Sequence, residues 1–355
     1  MTAVRVLIVD DSRTMRGLIV SALRIDPKIE VVGQAGSAEE ARSAVRALRP
    51  DVITLDIELP GMDGLSFLKR LMRLRPTPVI VISDFTVGDT PCARQAFDLG
   101  AVDCVAKSSL RQPGFSKVLA VKAKAAASAR SRVVNALTPN AARVEVETLS
   151  IPGYAPDDRI VAMGASTGGI EALQRILSAF PVNCPPTIIT QHLPAPFTNS
   201  LALRLNRICP PQIAEASDGA RLRVGQVRIA PGSIAHLEIV GGVGELYCRL
   251  NRSKAVNGHR PSVGVMFDSV ARAVGSAAIG VILTGMGHDG ANGLLAMRKA
   301  GATTIGQDEA SSVVYGMPRM AYEIGAVEKQ LSVERIGGHI LTITNLRGET
   351  DHVSD

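Results

Sequence analysis

The chain has 355 residues, 46% of them hydrophobic and 3% aromatic, with no tryptophan and a formal net charge of +6. That length suits two domains. The hydrophobic fraction excludes a disordered chain, and cores almost without aromatics must be built from Val, Ile, Leu, Ala and Met. No apolar run approaches the ~20 residues of a membrane span, and residues 1–5 lack the charged start and apolar stretch of a signal peptide. The five cysteines, Cys92, Cys104, Cys184, Cys209 and Cys248, have no CxxC spacing. Their scatter argues against a disulfide framework or zinc knuckle and for the reducing cytosol. The positive charge points to an acidic partner, but without a basic recognition motif nucleic acid is not the expected one.

In the first third of the chain, apolar runs at 4–9, 30–35, 52–55, 79–82 and 102–106 read as five short buried strands. Between them, residues 14–25, 38–48, 65–74 and 90–99 carry apolar side chains at helical spacing. Five strands separated by helices imply a parallel, doubly wound sheet, whose functional groups gather at the carboxyl ends of the strands. Asp10 and Asp11 close the first strand, Asp56 the third, Ser83 the fourth and Lys107 the fifth. Three carboxylates on one sheet edge repel unless a cation neutralises them, and a few oxygen ligands suit Mg²⁺. A cation, a lysine and a serine hydroxyl around one carboxylate form a site for a transferred phosphoryl group.

This set, with Leu59-Pro60-Gly61-Met62-Asp63-Gly64 after the third strand, resembles the receiver domain of two-component response regulators over residues ~4–125. The resemblance implies that Asp56 is the phosphoacceptor. It further implies that Asp10, Asp11, Asp56 and the backbone carbonyl of Glu58 hold Mg²⁺, and that Ser83 and Lys107 read the phosphoryl oxygens. Three positions depart from the common pattern. Cys104 stands where an aromatic switch residue is usual, Ser108 where a proline is usual, and Asp84 where a small neutral residue is usual. With Ser108 after it, Lys107 is expected to be aimed less firmly.

Residues 104–143 contain no acid but carry Lys107, Arg111, Lys117, Lys122, Lys124, Arg130, Arg132 and Arg143. The Ala-rich 117–129 stretch finishes a fifth helix. Periodicity then fades and Pro139, Pro152 and Pro156 punctuate a linker. The charge run reads as a solvated helix face with a tether, or alternatively as an electrostatic arm for an acidic partner.

From Arg159 a second α/β pattern begins, with strands expected at 160–163, 187–190, 227–230, 236–240 and 278–283. Helices are expected at 171–180, 198–208, 263–274 and 293–300, and the sequence quiets after Glu328. Gly164-Ala165-Ser166-Thr167-Gly168-Gly169 follows the first of these strands and matches the Gly-x-Ser-x-Gly nucleophile elbow. A dinucleotide-phosphate loop is the rival reading of this turn. It lacks the strict Gly-x-Gly-x-x-Gly, and the next strand ends in Gln191-His192 rather than an acid. His192, just past that strand, suits a general base, with His288 as a rival. Asp289, in the Gly-rich loop after 278–283, can orient the imidazole, with Asp308 and Asp268 as rivals.

The Gly164–Gly169 turn, Gln191-His192, Ala230-Pro231-Gly232 with His236, His259-Arg260-Pro261-Ser262, and the stretches 283–290 and 307–318 together resemble the CheB family. These are the protein-glutamate methylesterases of bacterial chemotaxis, in which a receiver is linked to a serine esterase. The likeness covers nearly the whole chain, as a receiver at 1–126, a linker at 127–157, a methylesterase domain at 158–348 and a tail at 349–355. It implies the catalytic triad Ser166, His192 and Asp289, an oxyanion hole from the backbone N–H groups of His192 and Met286, and Thr167 beside the imidazole. It implies no cofactor for the ester chemistry. It implies demethylation of γ-glutamyl methyl esters on methyl-accepting chemotaxis receptors, and deamidation of receptor glutamines as in many members. A chemotaxis histidine kinase is the implied phosphodonor. The expected protein is a cytoplasmic monomer recruited to membrane receptor clusters, without membrane insertion and without nucleic acid. The competing readings are a response regulator whose output half only binds, and a DNA-binding output domain, for which no helix-turn-helix signature is present.

If the unphosphorylated receiver covers the esterase cleft, a chain beginning near Asp157 should release methanol from methylated receptors faster than the unphosphorylated full-length chain. A tether of this kind holds the receiver at an effective concentration of roughly millimolar order, so a weak interface suffices. Equal rates at equal enzyme concentration would exclude cleft blocking.

Overall fold

The computed structural model describes residues 3–83, 95, 96, 99–111, 114–128 and 153–346. By its contacts the chain divides into two compact units, Met1–Val144 and Glu145–Asp355. The expected helix at 90–99 lies outside the described residues apart from 95, 96 and 99. Asp84, Cys92, Arg130, Arg132, Arg143, most of the expected linker and the tail at 349–355 also lie outside them.

The first unit runs β1 (Val4–Val9), α1 (Arg13–Leu23), β2 (Ile29–Ala35), α2 (Ala38–Leu48), β3 (Val52–Leu55), α3 (Gly64–Leu74), β4 (Val79–Ser83), β5 (Asp103–Ala106), a 3-10 turn at Lys107–Arg111 and α4 (Phe115–Ser128). Its strands pair in the order β2-β1-β3-β4-β5, every pair parallel. The short unbroken apolar strands reflect helix cover on both faces; every residue of β3 and β4 is buried. The helix starts are set by polar caps. Ser12, Ser37 and Asp63 accept from the backbone N–H groups of Met15, Glu40 and Ser66, which have no partner inside their helices.

The second unit runs β6 (Ile160–Ala165), α5 (Gly169–Ser178), β7 (Thr187–Gln191), α6 (Ala195–Ile208), β8 (Gln212–Glu215), β9 (Arg221–Leu222), β10 (Gln226–Ile229), β11 (His236–Gly242), β12 (Glu245–Asn251), α7 (Val263–Val274), β13 (Ala278–Ile282), α8 (Ala291–Lys299), β14 (Thr303–Gln307), α9 (Met317–Glu323), β15 (Lys329–Leu331) and α10 (Val333–Ile343). Seven strands form a parallel sheet in the order β15-β14-β13-β6-β7-β10-β8. Strand β6 lies at its centre, where the chain turns from building one side to building the other. Such a switch point opens a crevice at the carboxyl ends of the strands.

One expectation, that of a quiet region after Glu328, is corrected here. The strand expected at 236–240 is present but lies outside the parallel sheet. It is β11 of a separate antiparallel sheet, β11-β12-β9, with the tight Gly242–Glu245 hairpin between β11 and β12. The region after Glu328 is not quiet, because β15 extends the parallel sheet and α10 follows it. β15 is three residues long, too short for a periodic signal. α10 carries Val333, Ile336, Gly337, Ile340 and Leu341 at helical spacing, all buried.

Gly164 in β6 shows how closely the second unit packs. A Cβ at this position would lie 2.1 Å from Cγ1 of Val263, at the start of α7. Gly164→Ala should therefore destabilise the second unit by ~1–3 kcal/mol, as overpacking does. All four tyrosines, Tyr154, Tyr247, Tyr315 and Tyr322, belong to this unit, so tyrosine fluorescence in urea reports it alone. An unchanged midpoint would mean that α7 shifts freely.

Candidate functional site

In the first unit, Asp10 follows β1, Asp56 follows β3 and Lys107 follows β5, so the parallel sheet delivers all three to one edge. Asp10 and Asp56 are each 1% exposed. Lys107 Nζ donates to Asp56 Oδ2 at 2.6 Å and lies 3.3 Å from Asp10 Oδ2. The backbone N–H of Glu58 donates to the other Asp56 oxygen at 3.2 Å, and that of Ser12 to Asp10 Oδ1 at 2.9 Å. Burial pushes the Asp10 carboxyl upward; the Lys107 charge opposes this and the neighbouring Asp56 adds to it. Burial alone would lower the Lys107 ammonium, but its hydrogen bond to Asp56 and both carboxylate charges outweigh that and raise it. Ser83 is buried at the end of β4, opposite Ala106.

One carboxylate oxygen from each of Asp10, Asp11 and Asp56 lies within 4.8 Å of the others. Asp11 is exposed, and Asp10 Oδ2 is buried and meets only the Lys107 charge, 3.3 Å away. A convergent set of carboxylate oxygens of this kind fits a hard divalent cation. The Lys107 side chain is well aimed despite Ser108. It reaches both Asp56 and Asp10 from the first residue of the 3-10 turn. Cys104 is buried on β5 with its thiol pushed well up, chiefly by burial.

In the second unit, the turn after β6 carries Ser166, half-buried above the sheet. Gly168 adopts φ +81°, the left-handed backbone conformation that glycine tolerates best, and a Cβ there would meet Val313 Cβ at 2.5 Å. Ala165 and Gln191 are paired across β6 and β7, so Ser166 and His192 leave adjacent strands at the same level. The Gln191 side-chain amide donates to the Ser166 carbonyl at 2.8 Å and holds the turn against β7.

His192 Nε2 lies 2.9 Å from Asp289 Oδ2. Asp289 is 2% exposed. It also accepts from Ser262 Oγ at 2.7 Å and from the backbone N–H groups of Val263 at 2.8 Å and Gly264 at 3.3 Å. Burial would raise this carboxyl, but the bond and charge of His192, with the Ser262 and Val263 donors, hold it well below the usual carboxylate range. An ionised Asp289 can only accept, so Nε2 carries its hydrogen and donates it to Oδ2. That leaves the lone pair on Nδ1, which is buried and has no hydrogen-bond partner among the described residues. The free nitrogen is thus Nδ1, whereas in chymotrypsin-type triads Nδ1 is the nitrogen that faces the aspartate. The ring of His259 stacks on that of His192, with centroids 3.8 Å apart and planes 3° from parallel.

The rival residues sit elsewhere. Asp308 Oδ1 accepts from the N–H and hydroxyl of Ser311 in its own turn. Asp268 is half-buried on α7, and His288 is exposed. Thr167 is buried, with its carbonyl accepting from Thr284 Oγ1 at 2.9 Å. Met286 is half-buried in the loop after β13.

One expected role meets a conflict. The backbone N–H of His192 donates to the Ala165 carbonyl at 3.1 Å, continuing the β6–β7 ladder, so it is not free to receive an oxyanion in this geometry. Ser262 and His259, which local pattern singles out for no role, brace the Asp289–His192 pair. No local spacing signal links residue 262 to residue 289, because their meeting depends on the packing of α7. Cys184 and Cys248 are buried thiols pushed up by burial to about 12 and about 11, too protonated to act as nucleophiles at neutral pH.

Two sheet edges, one acidic with an ion-paired lysine and one with a serine turn beside a histidine–aspartate pair, define a response-regulator receiver joined to an α/β serine hydrolase. Residues 6–118 match the family model described as response regulator receiver domain, and residues 161–340 match that described as CheB methylesterase. The chain belongs to the CheB methylesterase family. A relative from Agrobacterium fabrum, named protein-glutamate methylesterase/protein-glutamine glutaminase, is 53% identical over 348 residues, covering 97% of this chain and 98% of its own length. One from Caulobacter vibrioides, with the same name and the number 1, is 53% identical over 350 residues, covering 98% and 100%. The crystal structure of the Thermotoga maritima CheB methylesterase catalytic domain is 36% identical, covers 52% of this chain and 98% of its own, and gives a TM-score of 0.51. No helix among the described residues is long and apolar enough to cross a membrane.

The depressed Asp289 carboxyl links the second unit to pH. Its stabilising contribution is complete above the unfolded carboxylate value near 4 and is lost as pH falls from there toward the lower folded value. By tyrosine fluorescence, the stability gap between the wild type and Asp289→Asn should narrow as pH is lowered from 5 to 3. A gap that is constant across that range would mean Asp289 is not held ionised by its neighbours.

Proposed function

We propose that this chain is a phosphorylation-activated protein-glutamate methylesterase and protein-glutamine glutaminase acting on methyl-accepting chemotaxis receptors. The observation that carries the reading is the buried Asp289–His192 pair beside the Ser166 turn, in a chain whose relatives carry that name over nearly their full length.

Ser166 Oγ attacks the γ-carbonyl carbon of the glutamyl ester, and its proton passes to Nδ1 of His192. Asp289 holds the imidazole in the required tautomer and stabilises the imidazolium. The tetrahedral intermediate collapses, the proton goes to the departing methoxide, and methanol leaves. Water, deprotonated by the same nitrogen, then hydrolyses the acyl-enzyme to glutamate and restores Ser166. With a glutamine side chain, ammonia leaves instead. The Met286 N–H is proposed as an oxyanion donor, and Thr167 supports the imidazole.

In the receiver, the Asp56 carboxylate accepts the phosphoryl group from a chemotaxis histidine kinase. Lys107 shifts from pairing with Asp56 to pairing with the new phosphoryl oxygens, and Ser83 donates to another. Mg²⁺, held by Asp10, Asp11, Asp56 and the Glu58 carbonyl, would neutralise phosphoryl charge during the transfer. The protein works from the cytoplasm at membrane receptor clusters, as a monomer.

Methanol release from methylated receptor membranes is the test. Ser166→Ala and His192→Ala should each abolish it while leaving phosphorylation of Asp56 intact. Asp289→Asn should lose about 10⁴-fold in turnover. Asp56→Asn should lose stimulation by a small phosphodonor, and labelling by acetyl phosphate should fail in EDTA. Near-normal turnover in Asp289→Asn, or full labelling in EDTA, would overturn the corresponding half of the proposal.

A further inference from the structure

The first unit carries a feature that neither the phosphoryl site nor the ester chemistry uses. A groove of about 950 Å³ lies between α2 and α3 and extends to Pro60, Gly61 and Met62 of the loop that follows Asp56. Val45, Phe67 and Leu71 line it and are buried. Leu74 stands on its rim, 68% exposed. Arg42 and Arg46 from α2 and Arg70, Arg73 and Arg75 from α3 and its end surround this apolar strip, with Glu39 the one acid among the lining residues. None of the five guanidinium groups forms an ion pair with a carboxylate among the described residues, and all but Arg75 are exposed.

We propose that this groove docks an acidic amphipathic helix of a partner protein. Arg42 and Arg46 are four residues apart on one helix face, a spacing at which like charges repel, and three further arginines face the same cleft. An anionic occupant relieves that repulsion. The apolar strip selects among anions. A nucleic-acid backbone presents phosphates without an apolar face to fill a concave strip, and a lipid surface is flat where this site is concave. A helix with apolar residues at i, i+3, i+4 and i+7 and glutamates on its flanks meets both requirements, packing its stripe against exposed Leu74 above the floor of Val45, Phe67 and Leu71 while its carboxylates reach the arginine rim. The groove is a property of the receiver surface and does not depend on the esterase reading.

The test is fluorescence anisotropy with the full-length protein and a dye-labelled synthetic 18-residue helix bearing leucines at that spacing and glutamates on both flanks. The proposal expects saturable binding that weakens with added salt. A scrambled peptide of the same composition, and one with glutamine for glutamate, should each bind at least tenfold more weakly. Arg42→Glu with Arg70→Glu, and separately Leu74→Ser, should each reduce affinity at least tenfold. These are exposed positions, and an unchanged circular dichroism spectrum and urea midpoint show that the variants remain folded. Equal binding of the scrambled peptide, no loss in folded variants, or no binding at millimolar peptide would overturn the proposal. Tighter binding of duplex DNA or of phosphatidylglycerol vesicles, lost in the same variants, would overturn it in favour of those partners.

Discussion

A buried carboxylate needs compensation, and in the second unit the compensation of Asp289 ties the site together. Five donors converge on it: the His192 ring, the Ser262 hydroxyl, the Asn257 amide and the backbone N–H groups of Val263 and Gly264 at the start of α7. Those N–H groups have no partner within their own helix, so one carboxylate satisfies the start of α7, fixes the imidazole and joins the loop after β13 to the strand after β6. Removing a charge from such a cluster costs several kcal/mol when the partners stay buried. The histidine–aspartate pair beside the serine turn is therefore also part of the fold, and Ser262, which caps α7 and donates to Asp289, belongs to both.

The first unit meets the same problem with the opposite partner. Asp10 and Asp56 are buried at a strand edge, and Lys107 supplies the neutralising charge. One oxygen of Asp10 meets only the Lys107 charge at 3.3 Å. Such an atom has room for a further cation, whereas the Asp289 carboxylate has both oxygens held by hydrogen bonds. The contrast separates a pocket that changes its occupant from a pair that must remain fixed.

Close packing translates these contacts into geometry. The Gly-x-Ser-x-Gly turn is usually explained by space beside the serine. Here Gly164 also admits the side chain of Val263, whose N–H binds Asp289. Gly285 lies against Ser166, since a Cβ there would be 2.7 Å from Ser166 Cβ. Glycines in separate loops thus let three neighbouring strand ends approach one another.

The sequence by itself determined the elements whose signal is local. Continuous apolar strands such as 52–55, the amphipathic helix Ala38–Leu48, and the residues closing each strand, Asp10, Asp56, Lys107 and Ser166, could be read because a parallel sheet places strand ends on one edge. Tertiary structure decided what depends on contacts between distant segments. β11 looks like any other alternating strand, and only its antiparallel partner β12 removes it from the parallel sheet. The three-residue β15 is defined by its pairing with β14. Which histidine nitrogen faces Asp289, the occupation of the His192 N–H by Ala165, and the bracing by His259 and Ser262 follow from packing across 27 to 97 residues of sequence. Residue type and spacing carry no record of which lone pair or N–H remains free once the neighbours have closed around it.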